Sequence, residues 1–165
     1  MPLRLELVPP AARYRDTFLS ALHAFQQEGL PWWTGGDLEG IEQDFAAFVA
    51  RKLASPNTHL WAISDEQFVG RISLRHELND ALRVEGGHIG YDTVPSFRGR
   101  GVAREMLRQA LPVARDLGLT EVLLTCDDTN TASIRVIENN GGELRETKVL
   151  APNRPRKRYY WITLA

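Results

Sequence analysis

His88-Ile89-Gly90-Tyr91-Asp92-Thr93-Val94, running into Pro95-Ser96-Phe97-Arg98-Gly99-Arg100-Gly101-Val102-Ala103, is the stretch on which the fold turns. It reads as a strand, a glycine–arginine loop and the start of a helix. The helix is the clearest in the chain. Apolar residues fall at 103, 106, 107, 110, 111, 114 and 117, and polar ones at 104, 105, 108, 109, 115 and 116, a helical period. Pro112 lies on the polar face, deletes the hydrogen bond to Arg108 and is expected to kink the helix outward. Gly118 supplies the stop. Glu121–Thr125 (EVLLT) then reads as a buried strand. Strand, helix and strand in that order predict a right-handed parallel pair between 88–94 and 121–125.

Working outward, residues 131–139 form a short helix stopped by Gly141-Gly142, and residues 157–164 (KRYYWITL) form a closing strand. Toward the N-terminus, residues 3–8 alternate as a strand ended by Pro9-Pro10. Tyr14, Phe18, Leu22 and Phe25 mark a helix over 13–28. Asp37 is placed to cap a second helix that buries Leu38, Ile41, Phe45, Phe48 and Val49. Residues 60–64 and 68–74 form a hairpin through Asp65-Glu66-Gln67, and 75–87 is a loop ending in Gly86-Gly87. The order is β-α-α-β-β-β-α-β-α-β, an α/β chain with a mixed central sheet flanked by helices.

The chain has 165 residues, the span of one domain over 1–165. Apolar residues make up 43% and charged residues 25%, ordinary for a globular protein. A net charge of −1 argues against a nucleic-acid partner, which calls for a basic chain. One cysteine, Cys126, excludes an internal disulfide framework and multi-cysteine zinc sites. Arg4, Glu6 and Pro9-Pro10 break up any apolar leader segment, and no apolar run reaches a membrane-spanning length. A cytoplasmic protein with no membrane partner is the expectation.

The loop before the helix has the chemistry of an anion site. A helix N-terminus carries unpaired N–H groups and about half a positive charge. Gly99 and Gly101 allow close backbone approach, and Arg98, Arg100 and Arg104 add charge. No Gly-Lys-Ser/Thr follows, so this is not a Walker loop. A plain strand–helix turn with surface arginines is the bland alternative.

Arg98-x-x-Gly101-x-Ala103, after the strand His88–Val94, resembles the acyl-CoA loop of the GCN5-related N-acetyltransferases. Asn130-Thr131-Ala132-Ser133, extending to Asn140-Gly141, is similar to the family's Asn-x-x-Ala/Ser segment after the fifth strand. The element order also matches along nearly the whole chain. The resemblance implies acetyl-CoA as cofactor and transfer of its acetyl group to an amine that attacks directly in a ternary complex. It implies that the pyrophosphate rests on backbone amides from Arg100 through Val102 and Ala103 to Arg104. The pantetheine arm would pair like an extra strand with Asp92, Thr93 and Val94, a backbone N–H near Thr93 would hold the oxyanion, and Asn130 and Ser133 would face the arm.

The match fails at the acid–base residues. The family's tyrosine, seven positions after the asparagine, is Ile137 here. Its strand glutamates fall on Gly87 and Thr125. His88 and Asp127 are the replacement candidates, by position and by type. Against them stand a strand-end histidine held by its own turn, and an Asp128 or Asn130 that merely caps the next helix. Cys126 offers a nucleophile for a covalent route, or simply a buried side chain.

The acceptor, a small-molecule amine or a peptide, is expected to meet the loop holding Trp32 and Trp33 and the segment 75–87. Arg71, Arg75 and His76 suit an acidic acceptor or a solvated surface. Residues 157–164, with Tyr159-Tyr160-Trp161, offer an edge for a homodimer. Two rivals stand beside the enzyme: a non-catalytic acyl-CoA-binding module, and a nucleotide-binding enzyme using the same loop.

Overall fold

A computed structural model describes residues 3–29 and 38–165. In chain order come β1 (Glu6–Val8), α1 (Arg15–Gln27), α2 (Leu38–Gln43), α3 (Phe45–Ala54), β2 (Thr58–Ser64), β3 (Gln67–Leu74), α4 (Asp80–Val84), β4 (Ile89–Thr93), α5 (Val102–Asp116), β5 (Glu121–Asp127), α6 (Thr131–Asn139), β6 (Glu143–Lys148) and β7 (Lys157–Thr163). The α/β class stands, with helices flanking the strands. The strands lie in two antiparallel sheets, ordered β1-β2-β3-β4 and β5-β7-β6.

The expected parallel ladder between 88–94 and 121–125 is not formed. The two sheets meet where the His88 N–H donates to the Leu123 carbonyl at 2.8 Å. The Leu123 N–H, which would continue a ladder, instead donates to His88 Nδ1 at 2.8 Å. Gly87, at φ +64°, lies against the Leu123 carbonyl so closely that a Cβ would collide with it. Beyond this joint a cavity lies between β4 and β5.

Two cores sit on the sheet faces. Ile72, Leu74, Met106, Leu107, Ala110 and Tyr160 pack between the strands and α5. The polar face of α5 is turned outward, and the helix runs on through Pro112. Phe18, Phe45, Phe48, Trp61 and Phe68 form the other core beneath α1 and α3, with Phe18 stacked on Trp61 at 4.6 Å.

Several expectations change. The second helix breaks at Asp44, whose carboxylate accepts from the Ala47 N–H at 3.0 Å and caps α3. Asp37, Trp32 and Trp33 lie outside the described residues. The loop 75–87 contains α4, capped by Asn79 on the Leu82 N–H at 2.8 Å. Residues 143–148 add β6, fully exposed and charged, which becomes a strand because β7 offers it an edge. That same pairing corrects the proposed dimer edge: β7 is central in its sheet, and Tyr159 and Tyr160 are buried. Among the described residues no helix is long and apolar enough to cross a membrane.

Candidate active site

Two cavities open on either side of the gap between β4 and β5. One, of about 350 Å³, is lined by β4, the 97–104 loop and the start of α6. The other, of about 320 Å³, is lined by β3, β4, the middle of β5 and Lys157. Both volumes fall in the small-molecule range. Tyr91, Asp92 and Ser133 line both cavities, so they mark where the two meet.

The loop cavity gathers Asp92, Thr93, Arg98, Gly99, Gly101, Val102, Ala103, Arg104, Asn130 and Ser133. Gly99 and Gly101 take left-handed φ values of +73° and +81°, which only glycine adopts freely. Gly101 is the N-cap of α5 and no side chain caps that terminus. The first-turn N–H groups of Val102, Ala103 and Arg104 therefore face the loop without a side-chain acceptor.

Backbone parity directs the β4 edge. Val94 N–H donates to the Val69 carbonyl at 2.9 Å, and the His88 carbonyl accepts from Arg75 N–H at 2.7 Å. The even-numbered residues of β4 thus bond β3. In an antiparallel ladder the odd ones turn their N–H and C=O outward. Tyr91 and Thr93 present these groups to the gap.

Val94 and Arg100 depart from expectation. Val94 is buried in the aromatic core and spends its N–H on β3. Arg100 lies outside the cavity lining, with its guanidinium 5.1 Å from the Phe97 ring centre. Arg98 is present but already neutralised: both Glu28 oxygens accept from it at 2.9 Å. Asn130 caps α6, its side-chain oxygen accepting from Ser133 N–H at 3.1 Å, so the capping role expected of Asp128 or Asn130 falls to Asn130. Asn130 nevertheless lines the cavity.

Neither acid–base candidate is among the residues lining these two cavities. His88 is buried, and its Nδ1 is taken by Leu123. Burial first, and Arg83 second, lower its pKa, so the ring is neutral. Asp127 bonds Lys157 Nζ at 2.7 Å and serves to fix that lysine. Cys126 is buried and its thiol is pushed up to about 11 by burial, which removes the thiolate a covalent route requires.

The hydroxyls at the junction are a pair that sequence reasoning did not assemble. Tyr91 Oη and Ser133 Oγ lie 3.0 Å apart. Burial pushes the Tyr91 phenol up to about 12, so it keeps its proton. Ile137 is buried on the floor of the polar cavity and brings no hydroxyl there. The two carboxylates lining that cavity are engaged: Asp92 bonds Arg71 at 2.6 Å, and Glu85 bonds Arg154 at 2.7 Å and Lys157 at 3.1 Å. Ser73 had no local sequence signal, since strand pairing alone brings it to this cavity.

Comparison with known proteins agrees with this architecture. The chain superposes on Mycobacterium smegmatis RimJ in complex with CoA-disulfide at TM-score 0.74 and 21% identity, over 99% of this chain and 86% of that one. RimL, a ribosomal L7/L12 alpha-N-protein acetyltransferase in complex with coenzyme A, matches at 0.73 and 16%, over 99% and 97%. A spermidine N-acetyltransferase SpeG chimera from Vibrio cholerae and hSSAT matches at 0.68 and 15%, over 97% and 95%. At these identities the likeness is one of fold. No curated protein matches the sequence. The acetyltransferase (GNAT) domain model matches residues 4–143, most of the chain, and the protein therefore belongs to the GNAT acetyltransferase family.

Proposed function

We propose that the chain is an N-acetyltransferase that moves an acetyl group from acetyl-CoA to an amine by direct attack in a ternary complex. One observation carries this reading: an anion-binding loop cavity and a polar cavity meet at a shared junction in the gap between β4 and β5. The uncapped start of α5 fits the cofactor's pyrophosphate, and RimJ, RimL and other solved relatives hold CoA or acetyl-CoA.

Acetyl-CoA supplies an acetyl group activated as a thioester. The chain's own groups do the rest. Val102, Ala103 and Arg104 N–H groups hold the pyrophosphate. The free edge of β4 at Tyr91 and Thr93 would align the pantetheine as an added strand, and an N–H there would stabilise negative charge on the thioester carbonyl oxygen. With acetyl-CoA bound, the Tyr91–Ser133 hydroxyl pair would donate a proton to the departing sulfur as the C–N bond forms and the C–S bond breaks, and would regain it from solvent. Water reaching the polar cavity takes the proton that the amine must lose, because Asp92 and Glu85 are tied to cations.

A second reading has its own observation. With Ile137 in place of the family's tyrosine and both cavity carboxylates paired, a binding module without turnover is the rival. Calorimetric titration of acetyl-CoA into wild type and Gly101→Glu, followed by CoA release with an amine panel, separates them. Micromolar binding lost in Gly101→Glu, with turnover on at least one amine, supports the enzyme. Binding without turnover supports the module, and no binding by the folded protein removes both.

A further inference from the structure

We propose that the acceptor amine carries a carboxylate, and that Arg75 takes that carboxylate on the floor of the polar cavity. The inference rests on the acetyltransferase reading and narrows its substrate.

The cations lining the cavity differ in their partners. Arg71 is neutralised by Asp92 at 2.6 Å, and Lys157 by Asp127 at 2.7 Å and Glu85 at 3.1 Å. Arg75 pairs with no carboxylate among the described residues. Its Nη1 donates to the Gly86 and Gly87 carbonyls, each at 3.1 Å. Those bonds fix the guanidinium without cancelling its charge. It is half-buried, and burial, then Arg71, lowers its pKa. A desolvated, uncompensated cation is costly, and an anionic ligand relieves the cost.

Gly90 keeps this cation accessible. A Cβ there would stand in contact with the guanidinium, 3.5 Å from Arg75 Nη2, and both residues line the cavity, so a larger side chain at 90 would crowd the cation. Nη1 is spent on carbonyls, while Nη2 and Nε remain to make the two parallel bonds that a carboxylate accepts.

Geometry also limits the spacer. Nη2 lies over Gly90, the residue before Tyr91 in β4, while the Tyr91 side chain leaves the strand on its other face. Arg75 and Tyr91 line one cavity, so its size bounds the separation of the carboxylate and the reacting amine. A cavity of about 320 Å³ takes a small amino acid, or the first residues of a peptide with an acidic side chain.

The test is CoA release from acetyl-CoA with amines presented as acid–amide pairs: α-amino acids against their amides, β-alanine against β-alaninamide, and acidic-first dipeptides against their amidated forms. The pairs distinguish free amino acids from peptides. The expected result is at least a tenfold preference in kcat/KM for the acid of one series, falling toward unity in Arg75→Gln and partly kept in Arg75→Lys. Acetyl-CoA titration shows that each variant is folded. Amides used as well as acids, or a preference that persists in Arg75→Gln, overturns the inference and leaves the acetyltransferase reading standing. Acetyl-CoA binding with no turnover of any pair overturns both.

Discussion

His88 and Leu123 are joined twice: the His88 N–H donates to the Leu123 carbonyl, and the Leu123 N–H donates to His88 Nδ1, both at 2.8 Å. This double bond is the closed end of the cleft. Because Nδ1 accepts, the ring proton of the neutral imidazole sits on Nε2. His88→Ala leaves the Leu123 N–H buried without an acceptor, a cost of about 1–3 kcal/mol. The expected outcome is a Tm lowered by several degrees with the shape of the pH–kcat/KM profile retained. A profile that loses its acidic limb at unchanged Tm would make His88 a base after all.

At the cleft junction, Tyr91 and Ser133 are predicted to share one proton-donating task. Tyr91→Phe and Ser133→Ala should each lower kcat about tenfold, below the usual range of about 100- to 10,000-fold for general acid catalysis, because CoA is a fair leaving group. The KM for acetyl-CoA should move far less. Since burial holds Tyr91 at about 12, kcat should show no fall from this phenol up to pH 10. Steady-state kinetics over pH 6–10 decide it, and a double variant no worse than either single one identifies the pair as a unit.

The loop was legible in the sequence because its chemistry is local: two glycines, a helix start and a strong helical period lie within a few residues of one another. The ion pair of Arg98 was not legible because its partner, Glu28, is seventy residues away. The polar cavity was illegible as a unit. Arg75 just past the end of β3, Gly90 of β4 and Lys157 of β7 are brought together only by the β3–β4 register and the sheet joint. β6 escaped because ELRETK offers no buried face, so its strand is made by β7. The split sheet was hidden because a side-chain nitrogen took the N–H that a ladder would have used.

His59 makes a stability prediction whose sign can be worked out. Burial first, then Lys52, Arg71 and Arg75, lower its pKa to about 4. Folding thus favours the neutral ring, which bonds Ser73 Oγ at 2.9 Å. The unfolded chain takes up the proton near its ordinary value of about 6.5. The stabilisation is complete above pH 6.5 and is lost progressively as pH falls toward about 4. Urea unfolding should show stability declining between pH 6.5 and 5, with a shallower slope in His59→Gln. Equal slopes would sink the assignment.

The β2–β3 hairpin carries a correctable strain. Asp65 and Glu66 form its two-residue turn with φ values of +47° and +62°. Both positions are left-handed, as a primed type I turn requires. Asp tolerates that region through its short polar side chain, whereas for a longer side chain it costs roughly 1–2 kcal/mol. Glycine removes the strain but gives back about 0.5–1 kcal/mol in unfolded-state entropy. Glu66→Gly should therefore raise the Tm by about 1–3 °C, at roughly 2–4 °C per kcal/mol for a chain of this size. Asp65→Gly should gain less. The turn lies away from both cavity linings, so acetyl-CoA affinity should not change. A lower Tm in Glu66→Gly would mean that the Glu66 side chain stabilises the turn by more than its backbone strain costs.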